Sequence, residues 1–446
     1  MLTGIGQLIL ALSILVVLHE LGHFIPAKLF GMRVDKFYLF FNWKFSLIKF
    51  RKGETEYGIG WIPLGGYVKI AGMIDESMDK DQMKLPPQPW EFRSKPAWQR
   101  LIVMLGGVFV NIILGIIFFS GIYYMWGEKF IPSDNLTYGI YADSLARDIG
   151  FQHGDKLLGV NGENFSQEKS WHEVSLQLLV DDISYVDVER NGNKTEVIIP
   201  SDFKDRILDQ EEVSLFGEAF PFVIDSVSRD TAFLKKGAYA AGIKKGDNVL
   251  KIGKDSVLSF LHARDLLSQY KEESTPILVE REGDRITINT YVNSNGHIGV
   301  IPAGPSDFLN IKVKNDFTVG ESINKGFNRA FSMFGLVGKN VKLMTTNIKA
   351  AKKVRSVFSM VGMFGTVWDW QRFWGLTAFL SMMLAFMNLL PIPGLDGGHA
   401  LFTIYEIILR RKPSQKFMEV SQSIGMILLL SLMAYAVGND LISLFK

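Results

Sequence analysis

The amino-acid sequence predicts a multi-pass α-helical membrane protein with four transmembrane helices, a membrane-associated β-hairpin sheet and two extracytoplasmic α+β domains. Three observations predict this class. The 446 residues are 48% hydrophobic and only 21% charged. Four long apolar segments lie in the first and last thirds of the chain. The polar stretch between them contains one pattern twice, at residues 150–158 and 242–250, as expected of duplicated modules.

The composition excludes several kinds of protein and of site. A net charge of +2 is too balanced to indicate a nucleic-acid-binding protein, which usually carries a basic surface. The chain contains no cysteine, so it has neither disulfides nor thiolate ligands. Any zinc ion must therefore be held by imidazole and carboxylate groups.

The first candidate span begins with an apolar run over Leu8–Leu18. Residues 1–4 carry no basic side chain and no small-residue cleavage site follows, so we expect a retained helix rather than a signal peptide. Three further segments have or approach the roughly 20 residues that cross a hydrocarbon core. They are Leu101–Trp126, Phe373–Leu395 and Ile424–Phe445, the last interrupted by Asn439 and Asp440.

Basic residues are concentrated in two of the loops between these spans. Because cytoplasmic loops carry an excess of lysine and arginine, we expect both loops to be cytoplasmic. Residues from about 127 to about 353 then lie on the far side of the membrane. The basic residues are Lys28, Arg33, Lys36, Lys44, Lys49, Arg51, Lys52, Lys69, Arg93, Lys95 and Arg100 in the first loop, and Arg410, Arg411, Lys412 and Lys416 in the second.

A candidate metal-binding motif follows the first apolar run directly. His19, Glu20 and His23 lie within five consecutive positions. Residues four apart share a helix face, so both imidazoles can bind one zinc ion with Glu20 beside it as a base. Charged groups cost about 2 to 3 kcal/mol in a spanning segment and are functional candidates by default. The alternative is a pair of hydrogen-bonded histidines at a helix end.

A third zinc ligand is needed, because catalytic zinc usually has three protein ligands and an open position. Asp396 ends the third apolar span and is preceded by Pro391 and Pro393, which break regular helix. A broken helix at membrane depth is expected only where its backbone faces protein or water. His399 is a second, lower-ranked candidate ligand, and an exposed helix-end carboxylate is the alternative for Asp396.

Residues 36–70 predict a small sheet beside this site. Its strands are separated by turn residues, and a sheet at membrane depth must line a cavity. The alternative is an ordinary cytoplasmic hairpin. The predicted strands are Phe37–Phe41, Phe45–Phe50 and Glu56–Ile62, divided by Gly53 and by Gly65 with Gly66.

The duplicated pattern predicts two similar modules, which we call the first and second repeats. Each has a short helical lead, Ser144–Ile149 or Phe233–Ala241, followed by Gly-x-x-x-Gly-Asp and a strand. Asn161 and Gly162 end the strand of the first repeat with a turn signal. We expect domains over residues 1–126 (membrane part), 127–215 (first repeat), 216–315 (second repeat), 316–372 (amphipathic linker helix) and 373–446 (membrane part).

The linker contains an amphipathic pattern from Ile323 to Phe358, with basic residues among aromatic and aliphatic ones. Such a helix suits a membrane surface. A solvated helix packed on the second repeat explains the same pattern, and the sequence does not decide between them.

Several of these segments resemble a known family. The repeats resemble the PDZ domains of bacterial proteases. In combination with three motifs they resemble the site-2 protease family. The motifs are His-Glu-x-x-His at 19–23, Gly-Gly-Tyr-Val-Lys at 65–69 and Asn-x-x-Pro-x-x-x-Leu-Asp-Gly-Gly at 388–398. The match is to the bacterial RseP type, the regulator of sigma-E protease. PDZ domains add an extended peptide to a sheet edge, and here peptide binding and steric filtering remain two alternatives.

The resemblance implies an intramembrane zinc metalloendopeptidase of the bacterial inner membrane, with its active site near the cytoplasmic side. Its substrates would be single-pass proteins of the anti-sigma-factor type, already cut by an upstream site-1-type protease, and signal-peptide remnants. The competing hypothesis is a membrane-anchored PDZ scaffold without proteolysis. The implied residues are His19, His23 and Asp396 as ligands of one zinc ion, Glu20 as catalytic base, and Asn388, Asn111, Tyr67, Gly65, Gly66 and Pro391 in substrate binding.

Overall fold

The structure is a computed structural model that describes residues 2–73, 86–130, 138–165, 171–208, 215–228, 236–308, 312–314, 316–352, 354 and 356–444. It comprises two compact units, one of residues 1–127 with 315–446 and one of residues 128–314. The helices, in chain order, are α1 (Leu2–Leu29), α2 (Ala97–Trp126), α3 (Ser144–Ile149), α4 (Trp171–Val180), α5 (Phe203–Leu208), α6 (Ala238–Ala241), α7 (Phe260–Gln269), α8 (Val319–Thr346), α9 (Ile348–Lys352), α10 (Val361–Phe364), α11 (Trp370–Leu389), α12 (Asp396–Leu409) and α13 (Gln415–Leu444).

Eighteen strands accompany these helices in the described part of the chain. They are β1 (Val34–Phe41), β2 (Ile48–Lys52), β3 (Thr55–Ile59), β4 (Ile62–Ile70), β5 (Glu128–Phe130), β6 (Ile140–Ala142), β7 (Lys156–Val160), β8 (Glu163–Asn164), β9 (Tyr185–Arg190), β10 (Asn193–Ile198), β11 (Phe216–Glu218), β12 (Ile224–Val227), β13 (Asn248–Ile252), β14 (Asp255–Ser256), β15 (Ser274–Arg281), β16 (Asp284–Tyr291), β17 (Val300–Pro302) and β18 (Lys312–Lys314).

Among the described residues, four helices are long and apolar enough to cross a membrane, in agreement with the four candidate spans that the sequence predicts. The apolar segments lie in α1, α2, α11 and, over Lys416–Asp440, in α13. Helix α2 lies at the centre of this unit, in contact with α1, α8, α11 and α12. It therefore positions side chains from four other helices.

The third span differs from the prediction in where it ends, and the fourth in where it begins. Helix α11 stops at Leu389, and Asp396 opens a separate helix instead of ending the third span. The break follows from Pro391 and Pro393, which cannot continue the helical hydrogen bonds. Helix α13 begins earlier than predicted and continues through Asn439, whose side chain donates to the Lys352 carbonyl at 3.1 Å.

The sheet of the first unit is not a simple hairpin. Its strand order is β2-β3-β1-β4, and β1 pairs in parallel with β3 while β2 and β4 pair antiparallel with their neighbours. The predicted division at Gly65 and Gly66 is wrong, because β4 runs through both residues. Gly65 has φ = 148°, a conformation that side chains rarely adopt and that glycine tolerates within a strand. The second strand also starts later than predicted, because Phe45 lies in a loop and stacks on Trp61 at 5.6 Å.

The second unit contains the two repeats, and their similarity extends to the side chains. Asp155 accepts from the backbone of Gln152 at 2.8 Å and from both ends of the Arg190 guanidinium. Asp247 and Arg281 form the same pair in the second repeat, at 2.7 Å.

The sheet orders β8-β7-β9-β10 and β14-β13-β15-β16 are equivalent, so the predicted duplication is confirmed as a structural one. The helical lead of the first repeat matches α3. That of the second repeat begins at Ala238, and residues 233–235 of the predicted lead lie outside the described residues.

The structure contains the predicted amphipathic helix, but this helix ends earlier than expected. Helix α8 ends at Thr346, because Asn347 leaves the helical conformation with φ = −125°. Its small residues face α2, where Gly326 lies against Ser120 and Ala330 is fully buried. Small residues allow helices to approach closely, and α8 therefore packs as part of the first unit.

Candidate metal centre

Helix α1 presents two imidazole rings on one face. His19 and His23 are one helical turn apart, so their ring centroids lie 4.9 Å from each other. The two Nε2 atoms are 3.3 Å apart. The side chains are only 12% and 9% exposed, so both rings are held in the protein interior.

Asp396 joins this pair from the first turn of α12. Its Oδ2 lies 3.4 Å from Nε2 of His19 and 3.4 Å from Nε2 of His23. The preceding non-helical segment packs tightly on the start of α12, since a Cβ on Gly398 would lie 2.5 Å from the Ile392 carbonyl oxygen. The glycine at this position lets the broken chain fold back and bring the carboxylate to the imidazoles.

The three donor atoms have the spacing that zinc requires. They form a triangle with edges of 3.3 to 3.4 Å, and tetrahedral ligands with bonds of about 2.0 to 2.1 Å stand roughly 3.3 Å apart. Oδ2 of Asp396 is buried without a hydrogen-bond partner among the described residues. Within the described ranges, His19, His23 and Asp396 are the group able to hold a metal ion, and three ligands leave a position for substrate or water.

Helix α2 supplies the surroundings of both rings. The Val103 carbonyl lies 2.7 Å from Nδ1 of His23, so Nδ1 donates its proton there and Nε2 keeps its lone pair for a metal. Nδ2 of Asn111 lies 3.2 Å from Nδ1 of His19. Gly107 lies between these two positions, where a Cβ would come within 2.5 Å of Nε2 of His23.

Glu20 lies between the imidazoles and the sheet. Its carboxylate interacts with the backbone of Val68 in β4. A Cβ on Gly66 would lie 3.4 Å from the Cγ of Glu20. The sheet therefore lies beside the metal centre, as the sequence predicts.

Strand β4 forms one edge of this sheet and pairs with β1 alone among the described strands. Tyr67 stacks on Tyr38 with ring centroids 5.4 Å apart. Its hydroxyl donates to Asn42 at 3.0 Å. The strand is thus fixed by its own side chains, and no second strand pairs with it in the described part of the chain.

The structure brings most of the predicted site residues together. Nδ2 of Asn388, near the end of α11, lies 3.3 Å from Nε2 of His19. Pro391 is exposed in the segment between α11 and α12. His399 is not among the clustered donors, and its Nε2 lies 3.3 Å from the side-chain nitrogen of Gln422.

Two contributors to the site were not predicted from the sequence. One is the backbone carbonyl of Val103, which no residue type signals. The other is Ser381, whose hydroxyl donates to the Asn111 carbonyl at 2.8 Å. The i, i+4 spacing of Val103, Gly107 and Asn111 on a predicted helix would have identified a common face.

Comparison with known proteins adds an independent finding. The model of the family described as Peptidase family M50 matches residues 7–432. A Vibrio cholerae protein whose name contains the words zinc metalloprotease is 29% identical over 455 residues, which cover 97% of each chain. The regulator of sigma E protease of Haemophilus influenzae is 27% identical over 99% of each chain. The regulator of sigma-E protease RseP of Escherichia coli is 27% identical over 98% of each chain.

Proposed function

Since the chain belongs to peptidase family M50 and is a zinc metalloprotease, we propose that it hydrolyses peptide bonds inside the transmembrane segments of single-pass proteins. The position of the metal centre carries this proposal. His19 and His23 lie within α1, a helix apolar enough to cross a membrane, and Asp396 follows the third such helix after six residues. A site built on spanning helices is suited to a substrate that is itself in the membrane.

The donor set fits zinc, and we propose His19, His23 and Asp396 as the ligands of one ion. When bound, zinc supplies a Lewis acid that activates a water molecule and polarises the scissile carbonyl. Glu20 accepts the proton of that water and returns it to the leaving amine, as a general base and then a general acid. The Val68 backbone interacts with this carboxylate on the side of the imidazoles that faces the sheet.

A transmembrane helix hides its carbonyls in internal hydrogen bonds, so a substrate must be opened before it is cut. We assign this task to the edge of β4, which can hold the opened segment by strand addition. Gly65 and Gly66 lie in this strand, where a Cβ on Gly66 would meet the Tyr38 carbonyl oxygen and Val16, and Tyr67 fixes the strand by its stacking on Tyr38. Asn388 has its amide at the centre and can satisfy a freed backbone group of the substrate, with Pro391 ending the helix beside it.

The names of two relatives support a proposal for the substrate class. Two relatives are named regulators of sigma E. These names support a substrate of the anti-sigma-factor type and a role for this protein in a stress response. Such a substrate would first be shortened by an upstream site-1-type protease. Signal-peptide remnants are a second class of short spanning segment that the same site would accept.

We place the protein in the bacterial inner membrane, with the metal centre toward the cytoplasm and both PDZ-like repeats outside. The distribution of lysine and arginine between the spans supports this orientation. The repeats either bind extracytoplasmic peptides or exclude substrates that have not been shortened. Deletion of residues 127–315 distinguishes the two, because loss of a filter broadens substrate choice whereas loss of a docking site abolishes cleavage.

The alternative of a scaffold without activity is disfavoured by the donor geometry, since a scaffold has no need of three donors at zinc spacing. A Glu20→Gln variant tests the proposal in proteoliposomes with a transmembrane reporter. We expect it to keep zinc and to lose about 10²- to 10⁴-fold in cleavage rate. The control is Glu54→Gln, which alters an exposed carboxylate paired with Lys28. Wild-type cleavage by a zinc-loaded Glu20→Gln protein would refute the mechanism.

Zinc binding is tested separately with Asp396→Ala. Removal of one of three ligands should lower the zinc content of the purified protein in detergent. Full stoichiometry and affinity in this variant would exclude Asp396 as a ligand.

A further inference from the structure

Asn111 occupies an unusual place beside the metal centre. It is fully buried, with 0% of its surface exposed. Its Nδ2 lies 3.2 Å from Nδ1 of His19, while its Oδ1 has no hydrogen-bond partner among the described residues. The Ser381 hydroxyl donates to the backbone carbonyl of Asn111 at 2.8 Å. The amide is thus fixed against the imidazole, with one of its two polar ends unused.

The other ring shows what ligation requires of this position. His23 directs Nε2 toward Asp396 and donates from Nδ1 to the Val103 carbonyl. Histidines that bind metals generally donate their second ring N–H to an oxygen acceptor, which fixes the tautomer and the ring orientation.

His19 also directs its Nε2 toward Asp396, at 3.4 Å. Its Nδ1 must then carry the proton, and an amide NH₂ cannot accept it. A rotation of the Asn111 amide by half a turn exchanges its oxygen and nitrogen, which have nearly the same shape. The unused Oδ1 then lies where Nδ2 now stands and accepts the Nδ1–H of His19.

We propose that Asn111 is a positioning residue whose Oδ1 accepts the Nδ1–H of His19 and so keeps the Nε2 lone pair directed at zinc. The proposal rests on the proposed function, because it assumes that His19 is a ligand. One face of α2 then serves both imidazoles, with the Val103 carbonyl for His23 and the Asn111 side chain for His19. Gly107 between them gives the rings room. This role differs from substrate binding, which the family resemblance implies for Asn111.

Two substitutions separate acceptance from donation. Asn111→Leu has a similar size and neither accepts nor donates a hydrogen bond. Asn111→Asp accepts but, as a carboxylate, does not donate. We expect Asn111→Leu to raise the zinc Kd about 10- to 100-fold, the usual cost of losing such a partner, and Asn111→Asp to stay within a few-fold of wild type.

The measurement is zinc competition with a chromophoric chelator on the purified full chain in detergent at neutral pH. Asn340→Leu is the control, because among the described residues the Asn340 amide donates to the Leu336 carbonyl of its own helix alone, at 3.0 Å. It should leave the zinc Kd unchanged. Thermal unfolding of the metal-free variants reports whether each one folds.

The outcomes are decisive in each case. Equal weakening by Asn111→Asp and Asn111→Leu overturns the proposal, since the amide would then act as a donor. Wild-type affinity in Asn111→Leu also overturns it. If Asn111→Leu does not fold, Asn111→Asp decides alone, and a tenfold or greater loss of affinity refutes the acceptor role. Because the readout is zinc affinity, the expected ranking without any cleavage of a reporter would contradict the proposed function and leave the role of Asn111 intact.

Discussion

Replacement of Gly107 by alanine is expected to disable the metal centre through steric contact alone. The added Cβ would lie 2.5 Å from Nε2 of His23 and 2.5 Å from Cε1 of His19, whereas ordinary contacts begin at 3.4 Å. The rings or the helix must therefore move by about 0.9 Å, and catalytic groups must be held within about 0.5 Å of their productive positions. A misplacement of roughly 1 Å typically costs 10²-fold in rate.

The assay compares Gly107→Ala with Gly121→Ala, a change of the same kind in the same helix. A Cβ on Gly121 meets nothing within 4 Å, so this control should keep wild-type zinc binding and cleavage. For Gly107→Ala we expect a zinc Kd weakened about 10- to 100-fold and, with saturating zinc, cleavage reduced about 100-fold. Zinc competition in detergent and reporter cleavage in proteoliposomes measure the two effects.

One result would refute this reasoning. If Gly107→Ala folds, binds zinc as wild type does and cleaves the reporter at the wild-type rate, then the close approach of α2 to the imidazoles does not determine the site. Loss of activity in both glycine variants would instead indicate a general effect on α2.

Three further predictions concern other parts of the molecule. Burial, together with His262 and Arg147, lowers the pKa of His153 from 6.5 to about 4. The unfolded chain therefore binds the proton more readily than the folded chain, and stability is lost as the pH falls from 6.5 to about 4. The variant His153→Gln should reduce that loss, as measured by thermal unfolding of the full chain. Glu406→Leu removes the carboxylate that lies 2.6 Å from the buried Arg100 guanidinium, and should lower the free energy of unfolding by about 3 to 5 kcal/mol. Adding Arg100→Leu should recover most of that loss. A double variant as unstable as Glu406→Leu would contradict this prediction. Gly66→Ala would place a Cβ 2.7 Å from a Val16 methyl, so it should separate β4 from α1. We expect kcat/KM to fall at least about tenfold while the zinc Kd stays unchanged. A loss of zinc binding would instead show that the strand supports the zinc ligands.

The elements that local patterns predict are largely those the structure shows. Apolar length alone predicts the four helices of the described residues that are long and apolar enough to cross a membrane. A spacing of four residues places His19 and His23 on one face of α1. The repeated Gly-x-x-x-Gly-Asp pattern predicts two similar modules, and the structure gives both the same sheet order. Each of these features depends on residues close together in the chain, which is why periodicity reveals them.

Features that join distant residues were predicted poorly. The parallel pairing of β1 with β3 gives no signal in either strand, and the sequence predicts a membrane-associated β-hairpin sheet without it. Strand β4 passes through Gly65 and Gly66 because β1 supplies its pairing partner. Tertiary pairing thus overrides the local turn preference of glycine.

The sequence by itself determined the family of this protein, its zinc chemistry and the helices apolar enough to cross a membrane, because motif spacing and hydropathy are local properties. Only the tertiary structure showed that Asp396 begins its own helix, that its Oδ2 stands 3.4 Å from both imidazoles and that the Val103 carbonyl orients His23. These contacts join residues 80 or more positions apart. A backbone carbonyl carries no residue-type signal, so packing of α1 against α2 is what decides the orientation of His23.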